Sequence, residues 1–151
     1  MTKENEMLQT RILNAPPELV WKVWTDPKHM AIWWGPKGFS NPVCQVDARP
    51  GGIIYIEMKG PDGILYPMRG TFREVIKPER IVFINSALDE SGNPLFEVLN
   101  TITFANEGGK TKLTIHAVVS KITPQAKRHL DGMHEGWSQM LDRLGNYLTQ
   151  L

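Results

Sequence analysis

The sequence predicts an α+β domain: a curved antiparallel sheet of about seven strands wrapped around a long C-terminal helix, with two short helices after the first strand. Three observations carry this. Residues 40–119 break into short alternating runs separated by Gly, Pro, Asn and Asp clusters, with no helical crossover between them, which is the pattern of an antiparallel meander. From Pro124 onward, apolar residues recur instead at helical spacings of 3 and 4 over about seven turns. A single sheet with one apolar face needs a cover, and only that last helix is large enough to provide it. The 151 residues suit one domain with a full core, taken here as 1–151 with its ordered part over about 7–149.

The elements follow in order. MLQTRIL, residues 7–13, reads as a first strand. In NAPPELVWKVWTD, Asn14 can cap a helix and Pro16 and Pro17 suit its first turn, where a missing N–H costs little. Leu19, Val20, Val23 and Trp24 share one face of that helix. Asp26 as cap and Pro27 as first residue restart the pattern, so PKHMAIWW forms a second short helix that Gly35-Pro36 ends. The later strands are FSNPVCQVDA, IIYIEM, ILYPMRGTFREVI, RIVFINSAL, FEVLNTITFA and KTKLTIHAVVS, divided by turn clusters such as Arg49-Pro50-Gly51-Gly52 and Asn106-Glu107-Gly108-Gly109. Alternation puts Val98, Asn100, Ile102 and Phe104 on one face, and Leu113, Ile115 and Ala117 on one face of the next strand. Thr123 is the expected cap of the last helix. Its stripe is Leu130, Met133, Trp137, Met140 or Leu141, Leu144 and Leu148. Gly132, Gly136 and Gly145 interrupt it at about 1 kcal/mol each relative to alanine, which implies a close neighbour or space kept open beside the helix.

Composition narrows the function classes. Lys plus Arg is 17 and Asp plus Glu is 16, for a formal net charge of +1, with no basic stripe of the kind that tracks nucleic acid. The single cysteine, Cys44, leaves no internal disulfide and no multi-cysteine metal site. MTKENEMLQT has no apolar core of a signal peptide, and no run approaches the ~18–20 apolar residues of a membrane span. These features predict a cytoplasmic protein.

A sheet gripping a helix leaves a gap wherever side chains do not meet, and such a gap is a natural ligand cavity. Candidate lining residues are Trp34, Phe39, Met68, Phe72, Phe83, Asn100, Ile102, Met133, Trp137 and Met140, with Tyr55, Met58 and Tyr66 as further choices. Trp33 and Trp34 point about 100° apart on a helix end, so one closes the core and the other is free to rim the cavity with Phe39. Met133, Trp137 and Met140 suit either a core or an irregular ligand. Asn100, on an apolar face, needs a partner: a neighbouring strand side chain or a ligand. Strand faces reverse on a one-residue slip, so each strand position here depends on register.

Other chemistry has little support. His29, His116, His129 and His134 show no metal-ligand spacing, and His134-Glu135-Gly136-Trp137-Ser138 is not a zinc helix motif, so neither metal nor cofactor is expected. Asp47 and Arg49 fit a structural ion pair beside a turn. No G-x-S-x-G or phosphate loop occurs. Lys121, Lys127 and Arg128 read as a solvated basic face at the start of the last helix, where the helix dipole does not favour cations.

The chain also resembles a known family. Asn14-Ala15-Pro16 with Val20-Trp21, the Trp33-Trp34-Gly35-Pro36 box, Asp47 with Arg49-Pro50-Gly51-Gly52, Pro78-Glu79-Arg80-Ile81-Val82-Phe83, and Gly136-Trp137 with Leu141-Asp142-Arg143-Leu144 are similar to the branch of the START-like (helix-grip, polyketide cyclase or SRPBCC) superfamily named for the activator of the ninety-kilodalton heat-shock chaperone's ATPase. The likeness spans roughly residues 10–149. It implies a helix-grip fold with a cavity between sheet and helix. The leading expectation is a domain that binds a hydrophobic or amphipathic small molecule. The alternatives are a co-chaperone-like module that stimulates a chaperone ATPase, and a cyclase- or hydrolase-type enzyme. Pairing through a sheet edge or the glycine-bearing helix would make a homodimer.

Overall fold

The computed structural model describes residues 5–120 and 124–151. Along the chain run β1 (Glu6–Leu13), α1 (Pro17–Thr25), α2 (Pro27–Trp33), β2 (Ser40–Val46), β3 (Ile53–Lys59), β4 (Leu65–Ile76), β5 (Arg80–Leu88), β6 (Pro94–Glu107), β7 (Lys110–Val119) and α3 (Pro124–Leu148). The strands form one 7-stranded sheet in the order β1-β7-β6-β5-β4-β3-β2, antiparallel throughout. β2 to β7 are the expected meander. β1 then docks beside β7, with Glu6 opposite Val118 and Leu13 opposite Thr111. The architecture is the helix grip: α3 lies on the concave face, where Met133, Trp137, Met140, Leu141, Leu144 and Leu148 are buried.

The short helices show how local chemistry sets the chain path. Asp26 accepts a hydrogen bond from the Lys28 N–H at 2.9 Å and caps α2, with Pro27 in its first turn. Asn14 does not cap α1. The residue preceding that helix is Pro16, in extended conformation with no side-chain cap. With proline at 16 and 17, the N–H groups a cap would serve begin only at Glu18, and the Pro16 carbonyl already accepts from Leu19 and Val20. Thr123, the expected cap of α3, lies outside the described residues, as does Lys121.

All five tryptophans, Trp21, Trp24, Trp33, Trp34 and Trp137, are buried and join one aromatic cluster. Trp24 is its hub, with ring centres 4.8 Å from Trp33, 6.1 Å from Trp34, 6.1 Å from Phe104 and 6.1 Å from Trp137, the last stacked. Such ring pairs add about 0.5–1.5 kcal/mol each beyond the area they bury. The Trp33 indole N–H donates to the Val23 carbonyl at 2.9 Å. That carbonyl would bond the N–H four residues on in a continuing helix, but that residue is Pro27, which has none.

β1 ties α3 to the sheet edge. Arg11 pairs with Asp142 at 2.7 Å and donates to the Ser138 carbonyl, while Gln9 donates to the His134 carbonyl. Asp47 and Arg49 form an exposed ion pair at 2.8 Å. Gly52 follows it because a Cβ there would meet the Asp47 carbonyl at 1.9 Å.

Candidate functional site: a cavity between the sheet and the C-terminal helix

The sheet and α3 do not close on each other along their whole length. They leave a cavity of about 390 Å³, within the ordinary range of ligand pockets. Its floor is the concave face: Met58 of β3, Tyr66 to Met68 of β4, Asn85 and Ala87 of β5, and Phe96, Val98 and Asn100 of β6. Its roof is α3, through Met133, Gly136, Trp137 and Met140. Trp34, Gly35 and Pro36 close one end. At the other, Arg128 and Gly132 line the cavity and are exposed, so that side is its mouth.

The roof is shaped by missing side chains. Among the described residues, a Cβ added at Gly132 or at Gly136 would meet nothing within 4 Å, so neither glycine is required for close packing against them. They leave bare helix backbone over the cavity. Gly145, further along, sits against β1, where a Cβ would come 3.9 Å from Leu13.

The Trp34–Pro36 wall is bolted to α3. The Gly35 backbone, with φ +95, is in the left-handed region that favours glycine, and its N–H points to the Met140 sulfur at 3.0 Å. The Arg143 guanidinium donates to the carbonyls of Trp34, Gly35 and Pro36 at 2.8–3.0 Å and to that of Ile32 at 2.8 Å. Burial pulls this guanidinium below its ordinary pKa. Asn41 adds hydrogen bonds to the Ala31 and Trp34 carbonyls.

The polar part of the floor is an amide pair. Asn100 is buried, and its amide nitrogen donates to the Asn85 side-chain carbonyl at 2.7 Å and, more weakly, to the Phe83 and Val98 carbonyls at 3.4 and 3.3 Å. Among the described residues, the Asn100 side-chain oxygen and the Asn85 side-chain nitrogen have no partner. One free acceptor and one free donor thus remain in an otherwise apolar chamber. The sequence offered a hydrogen bond to a strand neighbour or a contact with a ligand as separate roles for Asn100; the first exists, and it leaves the second open.

The candidates chosen from sequence divide clearly. Trp34, Met68, Asn100, Met133, Trp137 and Met140 border the cavity, as do Met58 and Tyr66. Phe72, Phe83 and Ile102 do not. They share the concave face, but each is sealed in the core, with Phe72 and Phe83 rings 6.0 Å apart. Alternation tells which face a residue takes and not whether the helix above it sits close or stands off. Phe39 stands behind the wall, its ring 5.8 Å from Tyr66. Tyr55 lies on the convex face, bonded to Glu57 at 2.6 Å with Arg69 over its ring.

Some lining residues escaped the sequence reading. Asn85, Ala87 and Phe96 follow from the alternation of β5 and β6 once their register is known. Arg128 was read as a solvated cation, and the structure places it at the cavity mouth. It lies one helical turn before Gly132, and that spacing was the available signal. The Tyr66 phenol is held above its ordinary pKa by partial desolvation and the Asp62 carboxylate, so it is neutral at pH 7. Arg128 is then the charged side chain of the described lining, which holds no carboxylate, histidine, lysine or cysteine. Burial pushes the Cys44 thiol, away from the cavity, up to about 11. Among the described residues no cluster of His, Cys, Asp or Glu is arranged to hold a metal ion, and no helix is long and apolar enough to cross a membrane.

Known proteins share this architecture. A solved structure from Nitrosomonas europaea is 33% identical, aligning over 99% of this chain and 97% of its own with a TM-score of 0.82. One from Chromobacterium violaceum is 30% identical over 95% and 96%, with a TM-score of 0.79. One from Mycobacterium smegmatis is 29% identical over 95% and 90%, with a TM-score of 0.82. No curated protein matches the chain. The family described as "Activator of Hsp90 ATPase homolog 1-like protein" matches residues 14–149. With its sequence matched over nearly all its length and its fold a helix grip, the chain belongs to this family, within the START-like superfamily.

Proposed function

We propose that the protein binds a hydrophobic or amphipathic small molecule in the cavity between α3 and the sheet. The observation that carries this is the chamber itself: about 390 Å³, walled by Trp, Met, Phe and Val side chains, beneath two helical glycines whose missing side chains leave space. A helix that loses about 1 kcal/mol at each such glycine, with no packing reason for it among the described residues, is consistent with selection for the space. Affinity would come from apolar area removed from water, about 25 cal/mol per Å² before ordering costs. Trp34, Met68, Met133, Trp137 and Met140 would supply it. The Asn100 side-chain oxygen and the Asn85 side-chain nitrogen would orient a polar group on the ligand, one as acceptor and one as donor among apolar walls.

The test is a titration with Nile red, an uncharged fluorescent probe, against the wild type and Gly136→Trp. The indole of the variant fills the roof of the cavity, and replacing glycine favours the helix. Saturable 1:1 binding by the wild type, lost by at least tenfold in a variant that unfolds at the same or higher denaturant, is the expected result. Equal binding by both would place the dye elsewhere and overturn the proposal.

The family's description supports a second reading, a module that acts on a chaperone ATPase. A wild type that is folded and takes up no probe would favour it.

A further inference from the structure

We infer that the ligand is an anionic amphiphile whose charged end pairs with Arg128 at the cavity mouth while its apolar body lies against the glycine-bared face of α3. This rests on the cavity being a ligand site, as proposed above, and adds the charge of what it takes. The described lining carries one formal charge, the Arg128 guanidinium, and no carboxylate to neutralise it. Among the described residues Arg128 has no ion-pair or hydrogen-bond partner. The first turn of α3 holds no acidic residue, so the positive end of the helix dipole is left uncompensated on the same side. A cation there does not help the helix, which removes the simplest structural reason for it.

Geometry supplies the rest. Arg128, Gly132 and Gly136 are spaced four apart, so they follow one another along a single face of α3, from the exposed mouth toward the half-buried roof. A chain lying under the two glycines would reach Arg128 with its outer end. Deeper in, the floor carries the side-chain oxygen of the buried Asn100, which has no partner among the described residues and which a hydrophobic tail alone would leave unsatisfied. A fully apolar ligand uses neither of these groups. A ligand with an anionic head uses the first, and an in-chain hydroxyl or carbonyl would use the second. Guanidinium groups bind carboxylate and phosphate oxygens with paired, charge-assisted hydrogen bonds, stronger than neutral ones.

The experiment compares dodecanoate with dodecan-1-ol, followed by tryptophan fluorescence below their aggregation concentrations, in the wild type, Arg128→Gln and Lys127→Gln. The alcohol shares the tail and lacks the charge. Lys127 is exposed and outside the lining, and its variant removes the same unit of charge. The wild type is expected to favour the acid by about tenfold, the size of one charge-assisted contact at an exposed site. That preference should fall to about one in Arg128→Gln and persist in Lys127→Gln. Equal affinity of the wild type for acid and alcohol would overturn the inference and leave the cavity reading standing, since both probes still bind. A preference that survives in Arg128→Gln, or is lost equally in Lys127→Gln, would also overturn it, because the charge would then act as a diffuse field. Binding of neither probe by folded wild type would overturn the cavity reading together with this one.

Discussion

Trp24 and Trp33 are adjacent members of one cluster, both almost fully buried, yet their indole nitrogens differ. The Trp33 N–H serves the Val23 carbonyl that Pro27 leaves unpaired. The Trp24 N–H has no partner among the described residues. Truncation to phenylalanine removes similar ring volume from both. Only Trp33→Phe also strands a buried carbonyl, a penalty of about 1–3 kcal/mol. Trp33→Phe should therefore be the more destabilising by about 1–2 kcal/mol, read from urea unfolding of the two variants. Equal losses would mean that the hydrogen bond contributes nothing net. Neighbouring residues divide again at Trp33 and Trp34. The first is locked in the core, and the second rims the cavity at 6% exposure.

Among the elements, the turn from α2 to β2 and the middle of α3 act as one piece. A helix C-terminus exposes carbonyls that need donors. Here Arg143 reaches from α3 to supply those of Ile32 and Trp34, and with them the Gly35 and Pro36 carbonyls of the turn that follows. It thereby holds the end wall of the cavity against its roof. Lysine offers a single point of charge in place of a planar fork, so it cannot serve these carbonyls together. Arg143→Ala should cost about 2–3 kcal/mol in chemical denaturation, and Arg143→Lys should recover only part of that. Hydrogen exchange of the Gly35 and Lys37 amides should speed up in both, since their acceptors Met140 and Gln139 lie on the same helix. Exchange unchanged at those amides would show that the wall stands without Arg143.

For the whole molecule, the proposed use of the cavity would make stability depend on ligand. A folded-state ligand at about 100 times its dissociation constant stabilises by about 2.7 kcal/mol. For a chain of this size that is an upward shift in Tm of about 5–10 °C. Dodecanoate added to the wild type should raise Tm on this scale, and added to Gly136→Trp it should not. A rise of equal size in both would trace the stabilisation to the outer surface.

How much of this was legible beforehand differs between features for physical reasons. Strand alternation, turn clusters and helical spacing are local, so the strands, both short helices and α3 could be read directly, as could the concave-face placement of Val98, Asn100, Ile102 and Phe104. Asn14 was misread because the two prolines remove the donors that a cap would meet. The pairing of β1 with β7 joins residues about a hundred positions apart, and no local pattern encodes it. The same holds for the separation of Met68 and Asn100, which see the cavity, from Phe72 and Ile102, which do not. All four obey one periodicity, and the distance between sheet and helix above each decides its fate. Arg128 shows this most plainly. Its sequence neighbourhood describes a solvated cation, and the curvature of the sheet beneath it turns that cation into the charged rim of a cavity. The sequence by itself determined the elements and their apolar faces, because those follow from short-range periodicity. The tertiary structure alone decided where two apolar faces fail to meet, because a gap belongs to the relation between elements and to neither one of them.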